Sequence, residues 1–104
     1  MFLFNVTTHL EAQQEDEWLA YMQEVHIPKL LEGDYFQSAT LTKVMVEEPM
    51  GGVTYSVQYT SEHKATINGL YDRQAAALEA TLREKFGTEL LSFKTPLKII
   101  SQHD

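Results

Sequence analysis

A chain of 104 residues has room for one domain and one core, here 1–104, and 43% apolar against 22% charged residues is ordinary globular usage. Eight basic against fifteen acidic side chains leave a formal charge of −7. That charge disfavours nucleic acid and anionic membrane as partners, since both demand clustered Lys and Arg. No cysteine is present, which excludes disulfides, thiolate metal sites and cysteine nucleophiles.

The opening Met1-Phe2-Leu3-Phe4 is too short an apolar run for a signal peptide or a membrane span, so a cytoplasmic location is expected. Phe2 to Thr8 alternates apolar and polar residues with period two and predicts a first strand. Thr8-His9-Leu10-Glu11 has the form of a capping box, and acidic residues crowd the turns after it, where a helix dipole favours them. The helix it predicts carries Trp18, Leu19, Met22, Val25, His26 and Leu30 along one stripe. Pro28 lacks an N–H and is expected to bend or interrupt this helix near Val25 to Ile27, with Gly33-Asp34 as its end.

Ser38 to Glu47 predicts a second strand, and Pro49-Met50-Gly51-Gly52 a turn. Val53, Tyr55, Val57 and Tyr59 then alternate with Thr54, Ser56, Gln58 and Thr60, which makes the pair a β-hairpin. Thr60-Ser61 predicts a cap, and Lys64 to Phe86 a second amphipathic helix with Ile67, Leu70, Tyr71, Ala75, Leu78, Leu82 and Phe86 inward and Gly87 as its stop. The last strand spans about Glu89 to Ile100, where Pro96 requires an edge or a bulge.

The order β-α-β-β-α-β predicts an α+β, ferredoxin-like fold. Its four-stranded antiparallel sheet has spatial order 4-1-3-2, with both helices on one face. The uncovered face would carry Leu3, Asn5, Thr7, Thr54, Ser56 and Gln58, with Leu41 or Met45, and Lys43, as candidates from strand two. Such a face is expected to be covered by a second copy of the chain.

Trp18-Leu19 with Met22, His26-Ile27-Pro28, and Gly51-Gly52-Val53-Thr54-Tyr55-Ser56-Val57-Gln58-Tyr59 resemble a bacterial domain family of unknown function whose members match the whole chain in length. That family resembles the dimeric α+β-barrel superfamily, which includes EthD-like proteins, antibiotic-biosynthesis monooxygenases, muconolactone isomerase and chlorite dismutase. The resemblance implies a homodimer with sheets packed face to face and a pocket in or beside each sheet. It implies no single reaction, and no cofactor is expected.

His26 is the first catalytic candidate. A His amid an apolar stripe is desolvated, hence neutral and competent as a base, and EthD-like proteins carry a similar His followed by Pro. The competing reading is a buried His that hydrogen-bonds a strand or plugs the gap left by Pro28. Tyr55, expected to face the helices as His26 does and to position a substrate, is the second candidate; with Trp18, Tyr59 and Tyr71 it would line an aromatic pocket, or simply fill the core. Asn5 and Gln58 are expected on the open face, orienting a ligand or bridging the dimer. The histidines lack metal-binding spacing, and the strands lack the pattern of an RNA-recognition motif. Three readings follow. The first is a homodimer that binds a small, partly apolar molecule between sheet and helices. The second is a cofactor-independent isomerase or monooxygenase-type enzyme, and the third a structural or regulatory dimer without ligand.

Overall fold

The computed structural model describes residues 1–33, 36–46, 51–62, 71–87 and 91–104, with backbone alone for 71–74 and 91. Period-two alternation starts at once: strand β1 (Phe2–Leu10) buries Phe4, Thr8 and Leu10 against the helices and turns Leu3, Asn5 and Thr7 the other way. β1 runs two residues beyond Thr8, the first residue of the capping box read from the sequence, so Thr8 caps nothing. Its hydroxyl instead lies 3.0 Å from Ser92 Oγ. The reason is pairing, since every residue of β1 faces one of β3 (Val53–Ser61), and a full ladder outweighs one side-chain cap. Thr60 and Ser61, read as a cap, both belong to β3, where Thr60 Oγ1 lies 2.7 Å from Ser38 Oγ, and the helix start read after them lies outside the described residues.

A 3-10 turn (Ala12–Gln14) leads into α1 (Glu15–Tyr21), a π-helical turn (Met22–His26) and α2 (Ile27–Glu32). The interruption expected at Pro28 takes this form. The Ile27 N–H reaches back five residues to the Met22 carbonyl, and Pro28 sits in the first turn of α2, where its missing donor is harmless. Trp18, Met22, His26 and Leu30 recur every fourth residue, and none is more than 5% exposed. An α-helix turns about 100° per residue, so this series would drift by about 120° over its length. The wide turn takes back part of that drift and keeps all four on the sheet.

β2 (Ser38–Lys43) is shorter than the strand read to Glu47. Val44 gives it one last bond, N–H to the Thr54 carbonyl at 2.9 Å, and Met45 and Val46 are exposed. Its parity turns Ala39, Leu41 and Lys43 towards the helices and Ser38, Thr40 and Thr42 to the open face. Leu41 and Lys43 therefore do not join the open face, and Met45 lies beyond the strand. Pro49 and Met50 lie outside the described residues. Gly52, at φ +83°, has no alternative, because a Cβ there would sit 2.6 Å from the Leu10 carbonyl oxygen.

α3 (Tyr71–Phe86) buries Ala75 and Phe86 and packs Leu78 and Leu82 on the same core. Gly87, at φ +94°, stops it by donating to the Arg83 carbonyl. The expected start at Lys64, with Ile67 and Leu70, and the Tyr71 side chain lie outside the described residues. β4 (Leu91–Lys98) is an edge strand, as Pro96 requires.

The antiparallel sheet runs β2-β3-β1-β4, which is 4-1-3-2 read from the other edge. Its helix-side core joins Phe4, Tyr55, Val57 and Tyr59 to Trp18, Met22, Leu30 and Phe86, so the helices share one face. This is the ferredoxin-like fold. The open face is polar across β2 and β3, while its apolar strip lies along β1 and β4, where Leu3 pairs with Leu97 and Thr7 with Phe93. Phe93 is 65% and Leu97 41% exposed. Among the described residues no helix is long and apolar enough to cross a membrane.

Candidate functional site

A cavity of about 230 Å³ opens between the sheet and the helices. Val6 and Thr8 of β1, Val57 and Tyr59 of β3, and Ser92 and Lys94 of β4 form its floor. Met22 and His26 from the π turn, with Glu79, Leu82 and Arg83 from α3, form its walls. The π turn places Met22 and His26 here by holding residues four apart on one face.

His26 is buried. Its Nδ1 is sealed from solvent without a hydrogen-bond partner among the described residues, which leaves Nε2 as the ring's open polar position. Burial pushes the imidazole pKa below its ordinary value, and the Glu79 carboxylate opposes that shift. The ring is therefore neutral at pH 7, with one nitrogen a donor and the other an acceptor. Burial, and then the same carboxylate, push the Tyr59 phenol far above its usual range. Glu79 is itself paired with Lys94, and Arg83 sits beside them, exposed, at the mouth.

Tyr55 lies elsewhere. Four residues from Tyr59 along a strand is about 13 Å. At that end the Tyr55 hydroxyl donates to Glu15 Oε2 at 2.5 Å, Lys43 Nζ meets the same oxygen at 2.9 Å, and the Tyr55 ring packs on Trp18 with centroids 5.2 Å apart. The Tyr55 hydrogen bond, followed by that of Lys43, holds the Glu15 carboxyl below the usual carboxylate range. His26 and Tyr55, read as partners, thus occupy separate clusters. Of the expected aromatic wall Tyr59 lines the cavity, Trp18 is buried against Tyr55, and the Tyr71 side chain lies outside the described residues.

Asn5 and Gln58 stand on the opposite, open face, paired across β1 and β3. The Ser56 hydroxyl donates to Asn5 Oδ1, and Asn5 Nδ2 donates to Thr7 Oγ1 at 3.1 Å. Gln58 is exposed. Sequence reasoning missed Glu79, Arg83, Ser92 and Lys94. Two signals were present: Glu79 and Arg83 flank the apolar stripe at i, i+4 spacing, and Ser92 and Lys94 share the parity of Pro96 on β4. Among the described residues no three His, Asp or Glu side chains gather as a metal site.

A family model described as a domain of unknown function, DUF4286, matches residues 1–100. The chain belongs to the DUF4286 family. No curated protein matches it. Two solved structures, each described as a dimeric ferredoxin-like protein from an uncultured marine organism, share the fold of this DUF4286 domain. One is 15% identical with a TM-score of 0.69, covering 100% of this chain and 99% of that one. The other is 6% identical with a TM-score of 0.73, covering 98% and 97%. An EthD family protein from Bacillus halodurans is 14% identical with a TM-score of 0.62, covering 96% of this chain and all of that one.

Proposed function

We propose that this DUF4286 domain is a cytoplasmic homodimer that binds a small, partly apolar molecule between its sheet and its helices. The observation that carries the ligand reading is the cavity with His26 in its wall, since a buried ring nitrogen without a partner costs stability unless something else requires it. Val6, Met22, Val57 and Leu82 supply the apolar wall, and His26 Nε2 the polar anchor. The dimer reading is supported by the apolar strip of Leu3, Phe93 and Leu97 on the open face, and by two structural relatives described as dimeric.

The test is a set of neutral single-ring probes, phenol and benzamide, followed through the imidazole resonances of His26. They should shift in the native protein and stay still in Leu82→Trp, which fills the cavity. Equal shifts in both, or none in either at millimolar probe, reject the site.

A second reading, the cofactor-independent isomerase or monooxygenase-type enzyme with His26 as general base, draws on one observation: burial keeps that imidazole in its neutral, proton-accepting form. Turnover of a screened ring compound should then vanish in His26→Gln and survive in Tyr55→Phe, because Tyr55 lies in the other cluster. Unchanged turnover in His26→Gln removes the enzyme reading.

A further inference from the structure

From the charge pattern at the mouth of the cavity and its volume, we infer that the ligand is an amphipathic anion of single-ring size, its carboxylate held by Arg83 at the mouth and its apolar body inside. This rests on the ligand-binding reading above and names the chemical class of the ligand.

The first observation is charge. The described lining residues hold two cations, Arg83 and Lys94, and one carboxylate, Glu79, on a chain whose formal charge is −7. Glu79 is paired with Lys94. Arg83 has no ion pair among the described residues and lines the opening with a planar fork of donors that matches a carboxylate.

The second observation is polarity along the cavity. Its apolar surface comes from Val6, Met22, Val57 and Leu82. The Glu79 carboxylate acts on both His26 and Tyr59, so a second anion placed against those two rings would meet repulsion as well as desolvation. At Arg83 the same anion stays partly hydrated and finds its counter-charge. One orientation results, with the charge outward, the ring inward, and any polar substituent on the ring near His26.

The third observation is size. A dry cavity of about 150 Å³ accepts benzene. A volume of about 230 Å³ holds one ring with one or two substituents.

Benzoate and benzamide separate the possibilities, being nearly identical in shape and different in charge. Binding is followed by titration calorimetry and by the His26 imidazole resonances, on the native protein and on Arg83→Met, an exposed helix position whose change leaves the core intact. Benzoate should bind about tenfold or more tighter than benzamide, as expected for a charge-assisted pair at a wet site, and should weaken with added salt. Arg83→Met should erase that preference while leaving benzamide unchanged. Equal affinity for the two probes, or a benzoate preference that survives in Arg83→Met, overturns the anion while the cavity still binds rings. If neither probe moves the His26 resonances, the ligand-binding reading itself falls, and this inference with it.

Discussion

Replacing His26 with Leu should make the unliganded protein more stable. The native ring leaves Nδ1 sealed and without a partner among the described residues, and a buried polar atom in that state costs about 1–3 kcal/mol. Leu is apolar, similar in bulk, and surrounded by Met22, Val57 and Leu82, so the change of shape returns at most about 1.5 kcal/mol of that gain. A net gain of about 1 kcal/mol at pH 7 raises the Tm of a domain this size by about 4–8 °C, readily measured by circular dichroism. The pH dependence gives an independent check. Because burial depresses the folded-state pKa of His26, the native protein keeps its full stability above the unfolded value near pH 6.5. It loses stability as pH falls below that, since the unfolded chain takes up a proton that the folded chain resists. Leu has no such linkage, so the gap in Tm should widen towards pH 5. A variant less stable than native by more than about 1 kcal/mol, or a gap that closes in acid, would show that His26 is a structural residue and that its environment has been misread.

Tyr55→Phe removes the hydrogen bond that does most to hold the Glu15 carboxyl down, so an NMR titration of Glu15 should move up towards an ordinary carboxylate. Native stability contributed by Glu15 is present above the unfolded carboxylate pKa and lost as pH falls through the lower folded value; an unmoved titration would refute the link. Gly51→Ala and Gly52→Ala share a left-handed backbone, at φ +79° and +83°, yet only at Gly52 would the new methyl meet the Leu10 carbonyl. The first should cost about 1–2 kcal/mol and the second clearly more, so equal urea midpoints would contradict the geometry of the hairpin. Phe93→Glu, on the apolar strip of the open face, should shift sedimentation to the monomer while leaving circular dichroism unchanged. A monomer–dimer balance that ignores this substitution would place the interface elsewhere.

How much of this was legible in the sequence depended on whether one force or two acted on a residue. Val53 to Tyr59 alternates without exception because both faces of β3 are set by burial alone, and Pro96 marks an edge because a missing donor has few other uses. The cap at Thr8 fails because a local hydrogen-bonding preference competes with a sheet ladder that the sequence does not display. Leu41 and Lys43 hung on a register known only once β2 paired with β3, and a shift of one residue exchanges the two faces. His26 was visible from its place on the stripe. Its neighbours were not, because Glu79 on α3 and Lys94 on β4 meet only through the crossover of the chain. Tyr55 seemed to belong with His26 because both face inward, but shared orientation does not fix position along a strand.

The π turn also bears on which length changes the first helix tolerates. Deleting one residue between Met22 and His26 would restore regular four-residue hydrogen bonding, a local improvement by any propensity scale. Eleven regular steps from Trp18 to Leu30 would turn through about 1,100°, within about 20° of three full turns, so both ends would still face the sheet. The surplus residue is absorbed in one wide turn, so the two half-helices share a single floor, and a one-residue shortening here is the length change this segment should survive best.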